Sequence, residues 1–294
     1  MDEDTGLYYF GARYYDPKWS VWLSVDAMAE KSPNVGPYNY CLGNPIRFTD
    51  PDGMSVNDDH FINKNGSIRS IKTGTTYDRF YTQNNTGGYT LEATLEKNAD
   101  GLVQFPANGN GYSRYGGLDA GGMSTNPPEE VGSGDHYLKP EAAAGLFGVI
   151  NELRVKDISI SFGDMSSSNG SDPWQNGGKH HAGHGHYGKQ SGMNADFRYI
   201  NNDGNSFQSA TATSDSSFSL ENNTSVYDAA ERFGFTKNYQ GTNGSVTGVT
   251  KVGGHNDHGH IGLQYSSMDW KYTNTPPAVN TPSSFPSTLL PLGF

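Results

Sequence analysis

The chain has 294 residues, 33 % of them hydrophobic, and its 20 basic against 31 acidic side chains leave a formal charge of −11. With a mean hydropathy of −0.69, one or two domains with a share of loop are expected rather than one large core, and the shortage of Lys and Arg argues against tight nonspecific nucleic-acid binding. The single cysteine, Cys41, excludes an internal disulfide, the N-terminus has no apolar signal core, and no segment approaches the roughly 20 apolar residues of a membrane span.

Thirty-eight glycines and 18 tyrosines point to turns and short aromatic strands, and the expected class is α+β. Residues 1–54 string aromatic runs between Gly, Pro, Asn and Asp breakers. That is the pattern of short strands joined by tight turns, too short and too edge-rich to make a stable sheet alone.

These residues carry a close resemblance. Gly6-Leu7-Tyr8-Tyr9 with Ala12-Arg13-Tyr14-Tyr15-Asp16-Pro17, then Trp22-Leu23-Ser24-Val25-Asp26, Pro37-Tyr38-Asn39-Tyr40, Asn44-Pro45 and Asp50-Pro51-Asp52-Gly53 are similar to the C-terminal core of RHS and YD-repeat proteins. The resemblance implies a β-shell that ends at the DPxG element and a variable toxin after it, freed by scission near that element. Residues 55–294 take the toxin position.

Residues 55–131 are expected to be a β-hairpin and linker region. SIRSIKTGTTYDRFYTQ and GGYTLEATLEKNADGLVQF alternate as hairpin strands do, and the Gly, Ser and Pro-rich run from Asn108 onward reads as a flexible link. A third domain is placed at 132–272, with a Pro/Ser-rich tail at 273–294. Within it, Pro140 to Arg154 has helical spacing of Ala142, Ala143, Leu146, Phe147, Ile150 and Leu153, with Pro140 in the first turn. VKDISISFGDMS and MNADFRYI alternate as strands. SLENNTSVYDAAERFGFTKNYQG gives the clearest helix, with Ser225 and Asp228 as its expected capping pair, Val226, Ala229, Ala230 and Phe233 as its core stripe, and Gly234 as its stop.

Seven of the nine histidines fall between His180 and His260, in GGKHHAGHGHYGKQSGMNADFRYI and GGHNDHGHIGLQY. Neutral imidazole is the commonest protein ligand for zinc, and one carboxylate such as Asp196 would complete a three-ligand set that leaves a position for water. In His258-Gly259-His260 the period-two alternation of a strand puts both rings on one face.

The order strand, His, Asp196, helix, HxH resembles the zinc peptidases that include penicillin-insensitive murein endopeptidases, D-alanyl-D-alanine carboxypeptidases and lysostaphin-like enzymes. Gly192 and Asp196 in GMNADFRY, with His258 and His260 in HNDHGHIGL, carry it over about residues 140–265. The resemblance implies Zn²⁺ ligated by Asp196 and His260. That family places its remaining His seven positions before the Asp, where Lys189 stands here, so His186 is the implied third ligand and His184 the next choice. His258 is the implied general base, with Asp257 as the alternative; His181 and His255 are left as outer-shell or loop residues.

The implied function is an RHS-associated effector that reaches a target periplasm, hydrolyses amide bonds of peptidoglycan stem peptides or cross-links, and meets an immunity protein in its producer. Two readings stand beside it: a metal-dependent nuclease built on His255, Asn256 and His258, and a noncatalytic RHS remnant with a metal-binding appendage.

Overall fold

The computed structural model describes residues 5–10, 13–26, 36–41, 58–72, 77–98, 100–116, 134–175, 178–179 and 192–273. The Asp50-Pro51-Asp52-Gly53 element, His180 to His186, Lys189 and the tail beyond Thr273 lie outside the described residues.

In chain order the strands begin with β1 (Tyr8–Tyr9), β2 (Tyr14–Asp16) and β3 (Val21–Trp22), an antiparallel three-stranded sheet. Phe10, Tyr15 and Tyr40 pack around buried Trp22, and the Arg13 guanidinium sits 4.3 Å over the Trp22 ring while pairing with Asp26 at 3.0 Å. Tyr9, Trp19 and Leu23 remain exposed.

Next come β4 (Asp58–Ile62), β5 (Ile68–Lys72), β6 (Asp78–Gln83), β7 (Tyr89–Leu95), β8 (Val103–Gln104), β9 (Asn108–Gly109), β10 (Tyr112–Arg114) and β11 (Tyr137–Leu138). Helix α1 (Pro140–Arg154) is followed by β12 (Ile160–Gly163), β13 (Trp174–Gln175), β14 (Gly178–Lys179) and β15 (Asn194–Arg198). Helix α2 (Leu220–Arg232) leads into β16 (Phe235–Gln240), β17 (Thr250–Lys251), β18 (His258–Leu263) and β19 (Trp270–Tyr272). Two larger sheets result: a seven-stranded one ordered β17-β16-β18-β15-β12-β10-β9, and a five-stranded one ordered β19-β5-β4-β6-β7.

The middle region is therefore not loop-rich where it is described. It supplies four strands of the five-stranded sheet, and β9 and β10 are strands of the larger sheet where a flexible link was expected. Tyr112 explains the second difference: buried against Phe105 and Phe147, it anchors β10 parallel to β12 despite the glycines around it. Strand pairing crosses the expected division near residue 132 three times, at β8 with β11, β10 with β12 and β19 with β5.

Helix α1 is buried on nearly every face, from Ala142 to Ile150 and at Leu153. The sequence pattern showed a single stripe; the structure adds Ala144 and Val149 because the helix meets side chains of both sheets, and a helix apolar all round is a core helix. Phe147 touches Phe80 of β6 and Tyr112 of β10, with ring centroids 5.3 and 6.1 Å apart. Gly145 and Gly148 let it seat: a Cβ on Gly145 would come within 2.7 Å of the Phe235 ring, and one on Gly148 would run into Phe233. Gly148→Ala thus sets a helix-propensity gain of about 1 kcal/mol against overpacking of about 1–3 kcal/mol. Phe233 is 2 % exposed and closely surrounded, so overpacking is expected to win; chemical denaturation should show a lower midpoint in the variant.

Helix α2 begins six residues before the expected Ser225 cap. Its N-cap is Ser219, whose Oγ accepts from the Asn222 N–H at 3.2 Å. Ser225 is instead an interior helix residue whose Oγ accepts from Lys156 Nζ at 3.0 Å. Buried Asn223 holds the start of the helix to β15's exit, accepting from Ile200 N–H and donating to Ile200 O. Val226, Ala229, Ala230 and Phe233 are buried, and Gly234 ends the turn with φ of 91°.

A candidate metal centre on the large sheet

The centre is built across four neighbouring strands. In β18, Gly259, Ile261 and Leu263 face the core, where Phe197 and Tyr227 leave no room for a Cβ at Gly259. The alternate positions, His258 and His260, therefore share the other face. Register sets Asp196 of β15 opposite His260, Arg198 opposite His258, Tyr239 of β16 on the far side of His260, and Gly163 of β12 on the far side of Asp196.

Directly opposed side chains of an antiparallel pair stand on the same face, and the distances follow. Asp196 Oδ1 lies 3.0 Å from His260 Nδ1, and Asp196 Oδ2 lies 3.2 Å from His258 Nε2. Asp196 is fully buried, His258 and His260 nearly so. Tyr239 stacks on His260 with centroids 5.1 Å apart.

The missing side chain at Gly163 admits the Tyr115 ring beside Asp196, and the Arg198 guanidinium lies 4.2 Å over that ring. Burial, reinforced by the Asp196 and Asp164 carboxylates, pushes the Tyr115 hydroxyl well above its usual range, so this phenol stays protonated.

Asp257, considered as a base, is placed behind His258. Its Oδ1 lies 2.8 Å from His258 Nδ1, and its Oδ2 accepts from the Arg198 guanidinium at 3.2 Å. Both ring nitrogens of His258 thus face a carboxylate, Nδ1 that of Asp257 and Nε2 that of Asp196; a cation held by Asp196 would favour the proton on Nδ1 and free Nε2.

His255 joins the cluster, which its place in a Gly-rich turn had not signalled. Its ring is 4.8 Å from that of His258 and 6.0 Å from that of His260, and one ligand atom from each of Asp196, His255 and His258 lies within 4.8 Å of the others. The loop is pinned: Tyr199 Oη donates to His255 O at 3.0 Å, and Thr213 N–H donates to Asn256 O at 3.0 Å. Desolvation by burial lowers the His255 pKa, favouring the neutral imidazole that a metal requires.

Asp196, His255, His258 and His260 are thus brought together; His184 and His186 fall outside the described residues. Carboxylate and imidazole donors converging in a largely buried cluster suit a divalent transition metal. Among the described residues, no helix is long and apolar enough to cross a membrane.

No family model matches the chain. Curated proteins match it over short stretches: toxin subunit YenC2 of Yersinia entomophaga is 49 % identical over 51 residues, 17 % of this chain and 5 % of that protein. The tRNA nuclease WapA of Bacillus subtilis (strain 168) is 46 % identical over 58 residues, 19 % of this chain and 2 % of that protein. Salivary gland surface protein 1 of Aedes aegypti is 39 % identical over 54 residues, 18 % of this chain and 2 % of that protein. The chain therefore spans at most one twentieth of these relatives, and what it shares with the toxin subunit and the tRNA nuclease is a segment of 51–58 residues.

Proposed function

We propose that this chain is an RHS-associated antibacterial effector and that its His/Asp centre is a zinc-dependent amidase acting on peptidoglycan stem peptides or cross-links in a target periplasm. The observation that carries the chemistry is the pairing of Asp196 with both histidines of the HxH strand, at 3.0 and 3.2 Å. The toxin context is supported by the matched segment, whose 51–58 residues have the length of the aromatic N-terminal unit. A cognate immunity protein in the producer belongs to the same reading.

In this reading Asp196 and His260 would hold the ion, with the third imidazole coming from His255 or from the His184–His186 segment; the described group whose donor atoms converge here is Asp196, His255 and His258. What a zinc ion supplies when bound is a lowered pKa for a water nucleophile and polarisation of the scissile carbonyl. His258, oriented by Asp257 and Arg198, takes the proton through Nε2 and returns it to the leaving amine. Tyr115, held neutral, keeps its hydroxyl proton beside Asp196, and Tyr239 stacks on the His260 ring.

Purified chain incubated with peptidoglycan should convert cross-linked muropeptides to smaller species, read by mass, and a chelator should stop it. DNA, RNA and ubiquitin conjugates should survive. The WapA match makes a nuclease the second reading, against which stands the net charge of −11. Chelator-sensitive cleavage of tRNA or plasmid with unchanged muropeptides would establish the nuclease instead.

A further inference from the structure

We propose that Asp58, His60 and Asp78 form a second metal centre, a buried three-ligand site for a divalent transition ion inside the five-stranded sheet. It lies on other strands than the Asp196 centre and does not rest on the amidase reading.

Three buried atoms carry the inference: Asp58 Oδ1, His60 Nε2 and Asp78 Oδ2 have no hydrogen-bond partner, and their residues are 5 %, 0 % and 0 % exposed. One ligand atom from each residue lies within 4.8 Å of the other two. His60 Nε2 and Asp78 Oδ2 face each other at 3.5 Å. That is long for a charge-assisted hydrogen bond, which runs about 2.7–2.9 Å, whereas two ligands about 2.1 Å from a tetrahedral ion stand about 3.4 Å apart.

The opposite atom of every ligand is held. Ser70 Oγ lies 2.8 Å from His60 Nδ1, and Tyr272 Oη donates to Asp58 Oδ2 at 3.0 Å. Asp78 Oδ1 accepts from the Asp58 N–H at 2.8 Å and pairs with Lys97 Nζ at 3.3 Å. This is the outer-shell pattern of a metal site, where each ligand's second atom is fixed so that its first points inward. Lys97, 3.3 Å from Asp78, and Lys72, acting on Asp58, offset the charge of the two carboxylates. Burial of all three residues keeps substrate from the fourth coordination position, which suits a structural ion rather than a catalytic one.

The test uses the full chain, stripped with chelator and reloaded with Zn²⁺, with metal per chain read by elemental analysis. In an Asp196→Asn background, which removes the first centre, about one ion per chain should remain, and adding Asp78→Asn should remove it. Anomalous diffraction from zinc-soaked crystals of the unaltered chain should show a peak bonded to Asp58, His60 and Asp78, a reading independent of how the variants fold. No peak there, or unchanged metal content in Asp78→Asn, overturns the proposal and leaves the triad as the 3.5 Å contact of His60 with Asp78. Loss of metal only at the triad, or only at Asp196, identifies which centre fails.

Discussion

Asp196→Asn and His260→Ala should each strip zinc from the large-sheet centre and abolish hydrolysis together. Asp196 is fully buried and sits between two imidazoles, so its replacement removes both a ligand and the charge that holds the rings in place. Disturbing an outer-shell partner of a metal ligand costs about 10–100-fold in affinity or activity, and removing a ligand should exceed that. Elemental analysis read beside muropeptide turnover checks it. Zinc content in both variants equal to that of the unaltered chain would sink the ligand assignment. The same measurement on His184→Ala, His186→Ala and His255→Ala identifies the third ligand as the one whose loss releases metal.

His258→Ala should keep zinc and lower turnover by about 10²–10⁴-fold, the usual worth of general acid–base catalysis. Asp257→Asn should be milder, about 10–100-fold, because Asp257 acts through the 2.8 Å contact that orients the His258 ring. A dead Asp257 variant beside an active His258 variant would make Asp257 the base. Zinc lost from His258→Ala would make that histidine a ligand, alongside Asp196 and His255.

What the sequence disclosed was whatever is encoded locally. The period of α1, the alternation of HGHIGL and the Asp196 strand could be read because their patterns repeat within a few residues. Strand β4 was hidden by its own chemistry: DDHFI looks like a polar turn, yet all five residues are buried, because its acids and histidine face partners 10, 20 and 214 positions away. His255 was underrated for a similar reason, since Thr213 and Tyr199, which pin its loop, are remote in sequence. The Ser225 cap was a sound local motif that lost to Ser219, where the helix start is also tied down by Asn223.

Strand β19 has a kinetic consequence. It pairs in parallel with β5, Arg69 grips Asp269 with both terminal nitrogens across 200 positions, and Tyr272 reaches Asp58 across 214. Closing so long a loop carries an entropy cost before any contact rewards it, and high contact order slows folding. During synthesis, β4 to β7 emerge long before their outermost partner, leaving the β5 edge unpaired until nearly the whole described chain has been made. The five-stranded sheet is consequently a late-completing unit, and refolding of a chain ending before Trp270 should stall with that edge open to intermolecular pairing.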